Sequence, residues 1–187
     1  MVSLAALWLP ILVSAIVVFV ASSIIHMLLG YHAGDYRAVP SEDKVMDALR
    51  PFNIPPGDYV MPRPASAAAM KDPAYIEKHK RGPVGMLTVF PSGDMGMGRQ
   101  LGGWFVFCLV VGLFAGYLTS RALPPGARYL DVHQFAGTVA FIGYSLALWE
   151  MTIWYRRDWK STMKSTFDGL IYALLTGGVF GWLWPAA

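Results

Sequence analysis

His26, Glu150 and Asp168 are residues whose side chains can ligate a metal or move a proton, and each lies in or beside apolar sequence. Imidazole and carboxylate together suit Zn, Mn or Fe, so His26, Glu150 and Asp168 form the candidate metal set. The spacing argues the other way. His26 and His32 are six apart, which on one helix puts them on different faces, and no HxxxH or ExxH pair occurs. The ordinary alternative is that Glu150 and Asp168 hydrogen-bond to neighbouring helices or pair with Arg156, Arg157 or Lys164. A second chemistry is axial ligation of a haem or chlorophyll-type ring. It is read at His26, where Ser22 four residues earlier is small enough to leave room, and at His133 near the start of another apolar run.

Other chemistries find less support. Gly93, Gly96, Gly98, Gly102 and Gly103 with Arg99 precede a helix start, where backbone amides can hold phosphate. No strand–loop–helix unit surrounds them and no GK[ST] follows, so a flexible entry to a helix is the better reading. GxSxG, HExxH and a Cys/His nucleophile pair are all missing from the sequence. Catalysis is therefore not expected, and transport is disfavoured because the polar groups sit at helix ends, away from the bilayer midplane.

The elements that carry these residues are membrane spans. Apolar residues make up 55% of the 187 positions and charged residues 14%, well short of the quarter usual in soluble domains. Four runs, about 4–29, 101–119, 132–154 and 167–184, approach or exceed the roughly 20 residues needed to cross hydrocarbon. The first is too long for a signal peptide's apolar region, so cleavage is not expected. The single cysteine, Cys108, lies inside a span and excludes a disulfide framework. The fold class expected is all-α: an integral membrane four-helix bundle, one membrane domain over 1–187.

Small residues mark the helix-packing faces, since spans associate where backbones approach closely. Cys108, Gly112 and Gly116 form one face; Ala136, Ala140, Gly143 and Ala147 a second; Gly169, Ala173, Gly177 and Gly181 a third. Extending the second face leads to His133 at one end and Glu150 at the other, so Glu150 is expected to point into the bundle.

Residues 31–100 form a proline-rich polar loop holding nine of the 13 prolines. Two short helices are predicted there. One is capped by Ser41 and stopped by Pro51; the other opens at Asp72-Pro73 and ends at Gly82-Pro83. The intervening FNIPPGDYVMPRPAS reads as irregular, and Val84 to Phe90 as a strand or an interfacial segment. The loop holds too little apolar material to fold alone, and is expected to lie against the membrane or a partner.

Thirteen of the 15 lysines and arginines fall in this loop and in the third connector, 155–166. The bias puts both in the cytoplasm and both termini outside. Arg156, Arg157, Lys160 and Lys164 are expected to meet anionic lipid headgroups, as are Lys78, Lys80 and Arg81. The basic balance, pI near 9.0, thus points to a bilayer surface, with no nucleic-acid partner.

Three stretches, DYRAVPSEDKV, Gly82-Pro83-Val84-Gly85 and the ending DGLIYALLTGGVFGWLWP, resemble a family of small uncharacterised bacterial inner-membrane proteins. That family has a comparable middle loop and a C-terminal aspartate-glycine and tryptophan-proline signature, here Asp168-Gly169 and Trp184-Pro185. The resemblance implies a bacterial inner-membrane protein and carries over no catalytic residue. Rich packing faces without catalytic polarity lead to the expectation of a non-catalytic accessory subunit. It would stabilise a larger membrane complex, of photosynthetic or respiratory type, beside other membrane subunits. The alternative is a small membrane enzyme or metal or redox protein using His26, Glu150 and Asp168, or a haem or pigment carrier through His26 or His133.

Overall fold

The computed structural model describes residues 2–93 and 96–186. The chain is mostly helical and divides into two compact units, Met1–Arg37 with Gly96–Ala187 and Ala38–Met95.

The first unit is built from long apolar helices. A short 3-10 turn, Leu4–Leu7, leads into α1, Trp8–Met27. The next helix of this unit, numbered α4 in chain order, is Gly98–Ala122. α5, Tyr129–Phe141, runs through a π-helical turn, Ile142–Leu146, into α6, Leu148–Tyr155. α7 is Trp159–Trp182. Three of these stretches, Leu4–Met27, Gly98–Ala122 and Tyr129–Tyr155, are long and apolar enough to cross a membrane. α7 is as long, but Lys160, Lys164 and Asp168 stand in its first half. The basic stretch that the sequence presents as a connector is mainly the first turns of this helix. The Asp158 side chain caps it by accepting from the Lys160 amide at 2.9 Å, and nothing between there and the apolar run breaks it.

α1 packs on α4 and α7, and α5 packs on α4 and α7. Glycines allow the closest approaches. A methyl group on Gly177 of α7 would lie 2.6 Å from the His133 carbonyl oxygen and 3.2 Å from Gly137 Cα, both on α5. On Gly116 of α4 it would meet the Phe180 ring at 3.1 Å. Small residues therefore set the interhelical distance, and larger apolar residues fill the space on either side. One core gathers Ala15, Val18, Cys108, Val111, Tyr144 and Tyr172; a second gathers Ala115, Val132, Ala136 and Phe180.

The second predicted stripe changes course at the π-helical turn. Ala136 and Ala140 are fully buried, but Tyr144 and Ser145 then take the inward positions, while Ala147 and Glu150 are exposed. A π turn adds a residue to the repeat and rotates all that follows, which is why a four-three-four spacing extrapolated through it points Glu150 the wrong way.

The second unit contains α2, Glu42–Leu49, a hairpin of β1, Gly57–Met61, and β2, Gly85–Val89, and between the strands α3, Pro73–Arg81. The strands are antiparallel with Tyr59 opposite Leu87. β1 falls within the stretch read as irregular. Asp72 caps α3, accepting from the Ala74 amide at 2.8 Å. At α2 the expected cap differs: Ser41 is left-handed at φ 54° and its side chain makes no capping bond. Its carbonyl receives the Lys44 and Val45 amides in its place.

Gly177→Ala is expected to destabilise the detergent-solubilised protein by about 1–3 kcal/mol, because the added methyl meets unyielding backbone. Gly103→Ala, with nothing within 4 Å of the new methyl, is expected to be neutral or to stabilise by up to about 1 kcal/mol through helix propensity. Thermal unfolding of the two variants side by side measures the contrast.

Candidate metal centre

The site forms where α1 ends and α7 begins. α1 stops at Met27, one residue after His26. Gly30, at φ 66°, then turns the chain, and residues 30–35 close a compact turn through Ala33 amide to Gly30 carbonyl (3.0 Å) and Asp35 amide to His32 carbonyl (2.9 Å). A positive φ of this kind is inexpensive for glycine. The turn folds His32 back beside His26, with ring centroids 4.4 Å apart. α7 meets the turn with Lys164, Asp168 and Tyr172, four residues apart and so on one face.

Asp168 is the centre of the group and is buried. Its Oδ2 lies 2.7 Å from His32 Nε2 and 4.0 Å from His26 Nε2, and its Oδ1 accepts a hydrogen bond from the Tyr31 hydroxyl. His32 Nδ1, on the far side of the ring, lies 2.7 Å from Asp35 Oδ2. The Lys164 ammonium donates at 2.7 Å to Asp35 Oδ1 and at 2.7 Å to the Tyr31 carbonyl. Tyr172 completes the edge, its hydroxyl 3.4 Å from His26 Nε2. Burial alone raises a carboxyl's pKa. At Asp35 the hydrogen bonds and charges of His32 and Lys164 outweigh burial and hold it below the ordinary carboxylate range.

One proton arrangement satisfies these contacts as they stand, and a second leaves facing lone pairs that need a cation between them. With both ring nitrogens protonated, His32 donates to a carboxylate on each side, and the four charged groups Asp168, His32, Asp35 and Lys164 cancel. With His32 neutral and Nδ1–H donating to Asp35, its Nε2 lone pair faces the same space as His26 Nε2 and the Asp168 carboxylate. Ligand atoms of His26, His32 and Asp168 all lie within 4.8 Å of one another. Metal bonds of about 2.1 Å place neighbouring ligand atoms about 3.0–3.4 Å apart, so closing the set needs movement of His26 above all. His26 can supply it: its side chain is 50% exposed and its hydrogen bond to Tyr172 is long.

The structure brings together two residues of the sequence-derived set and places His32 beside them. His26 and Asp168 come together, and the third group able to ligate with them is His32. Glu150 is exposed on α6 and takes no part in the group. The objection to His32 assumed that helix α1 continued to it. The signal lay in GYHAGD, where glycines allow a turn and His32 and Asp35 stand three apart.

The structure gives the haem reading no further geometry. Ser22 faces Trp104, whose indole donates to its hydroxyl at 2.8 Å, so the space beside it holds a side chain. His133 lies toward the other end of the unit, beside Tyr129, with Nδ1 buried and without a hydrogen-bond partner among the described residues.

Lys164→Met removes two hydrogen bonds and leaves the Asp35 carboxylate, with its side chain 6% exposed, short of one cation. It is expected to destabilise by about 1–3 kcal/mol. Adding Asp35→Asn is expected to cost less than the sum of the single changes, because the uncompensated charge is gone. A double-mutant cycle of thermal unfolding checks this.

Comparison with protein-family models, with curated proteins and with solved structures gives no match, so the reading of this site rests on its own chemistry.

Proposed function

We propose that this is an integral membrane protein, a four-helix bundle of α1, α4, α5–α6 and α7, that binds one divalent first-row transition-metal ion. The ligands are His26, His32 and Asp168, at the end of the bundle where α1 leaves it and α7 enters. The observation that carries the proposal is the convergence of two imidazoles and one buried carboxylate from separate parts of the chain. Two histidines and a carboxylate suit Fe(II), Mn(II) or Zn(II) and leave coordination positions open for water or a small substrate.

The surrounding groups support the reading. Metal-ligating histidines donate their other N–H to a carboxylate, which fixes the ring and its tautomer, and Asp35 stands in that relation to His32. Tyr31 holds the second oxygen of Asp168. When bound, the ion would supply Lewis acidity or redox chemistry. The chain's own part is to orient His32 through Asp35, to hold Asp35 with Lys164, and to keep the carboxylate out of bulk water.

Four-helix packing supports the placement of α7 as a fourth span, since it contacts both α1 and α5. The lysine and arginine bias supports a cytoplasmic metal end, in the inner membrane that the family resemblance implies. The accessory-subunit reading draws less support. Its packing faces at Gly112, Gly116 and Gly177 are met by this chain's own residues.

Protein purified in mild detergent, stripped with chelator and dialysed against Zn(II) or Mn(II), is expected to retain about one ion per chain by elemental analysis. His32→Ala and Asp168→Asn are expected to abolish retention, and Asp35→Asn to weaken it about 10–100-fold. Glu150→Gln is expected to bind as the parent does. Absence of stoichiometric metal, or equal retention by Asp168→Asn, overturns the proposal.

A further inference from the structure

We infer that the second unit, Ala38–Met95, is an interfacial module that docks on the anionic headgroup layer of the bilayer in which the helices sit. The inference rests on the membrane placement of the helices and is independent of the metal.

Its first support is the lack of an interior. Among the described residues of this unit none is fully buried. A two-stranded hairpin with helices of eight and nine residues falls below what holds together in water without another surface. Large apolar side chains point outward as well. Phe52 and Phe90 are 73% and 76% exposed, and on one face of the hairpin Val60 and its cross-strand partner Met86 are 44% and 53% exposed. On the other face Leu87 and Val89 line an open groove of about 510 Å³ with Met46 and Leu49 of α2.

Charge and connectivity identify what covers these groups. α3 ends in Lys78, His79, Lys80 and Arg81, and no described carboxylate forms an ion pair with them. Exposed apolar side chains and unpaired cations on one small unit match a layer of acyl chains under anionic phosphates. That layer is also always at hand. Residues 96 and 97 alone separate the unit from α4, and the ten residues 28–37 join it to α1. Docking is therefore intramolecular in effect and needs little affinity per contact. A soluble protein would bind the same groups only by losing its own freedom.

The test uses the full chain, in a Cys108→Ala background, reconstituted into vesicles of phosphatidylcholine with or without phosphatidylglycerol. An environment-sensitive probe is placed at Met86→Cys or Phe52→Cys. A reference probe at Val110→Cys, an exposed position on α4, reports insertion of the spans. Expected are quenching of all three by nitroxide lipids in vesicles containing phosphatidylglycerol, and little quenching at Met86 and Phe52 by aqueous iodide. Each basic residue near an anionic surface favours docking about fivefold, so Lys78→Glu, Lys80→Glu and Arg81→Glu together are expected to lower the docked-to-free ratio by about a hundredfold or more.

Quenching at Val110 with free iodide access at Met86 and Phe52 overturns the inference while leaving the spans in place. No lipid quenching at Val110 overturns the membrane placement itself. Equal docking on neutral lipid, unaffected by the charge reversals, overturns anionic recognition. Protection only in native membranes, and not in pure lipid, overturns the inference by showing that another protein covers the face.

Discussion

The ionic contacts of Asp168 are the constraint around which the helical unit is arranged. A carboxylate placed ten residues into a helix, where the sequence turns apolar, is expensive unless its lone pairs are matched. Every group that answers it comes from outside α7: Tyr31 and His32 from the turn after α1, with His26 behind them. Lys164, one helical turn before Asp168, secures that turn through Asp35 and the Tyr31 carbonyl. The polar cluster thus fastens the end of α1 to the start of α7, while close backbone contact at Gly137 and Gly177 fastens α5 to α7 farther along. Polar matching at one end and small-residue packing along the length are the two ways in which an apolar helix acquires a specific neighbour.

Much of the helical unit was legible in the sequence because long apolar runs and small residues at four-residue spacing have one structural meaning in lipid. Cys108, Gly112 and Gly116 are buried as their spacing demanded, and Gly169, Ala173 and Gly177 likewise. What failed did so for definite reasons. Glu150 was carried through a π-helical turn that no composition signal announces. β1 was hidden by prolines on either side of a five-residue strand, too short to show alternation. Ser41 looked like a cap by type alone, whereas its backbone does the capping.

The site was half legible. His26 and Asp168 drew attention as ionisable groups at span ends, but pairing residues 136 positions apart depends on which helices are neighbours. Helical periodicity extended past Met27 separates His32 from His26. The decisive feature was local: Gly30 ends the helical geometry, and past it a spacing of six no longer means opposite faces. Lys164, Asp168 and Tyr172 at successive fours were visible throughout, yet without a known partner they were one amphipathic face among several.

The same connectivity orders events during synthesis. His26, His32 and Asp35 leave the ribosome well before Asp168, and at roughly 5–20 residues per second the 136 residues between His32 and Asp168 take on the order of ten seconds. Until α7 arrives, the turn after α1 has neither its buried carboxylate nor Lys164 to hold it, and the unit lacks the helix that both α1 and α5 pack against. When Asp168 does enter, the groups that answer it have already been synthesised. α7 therefore acts as a keystone: the ionic cluster closes only once this helix packs against α1 and α5.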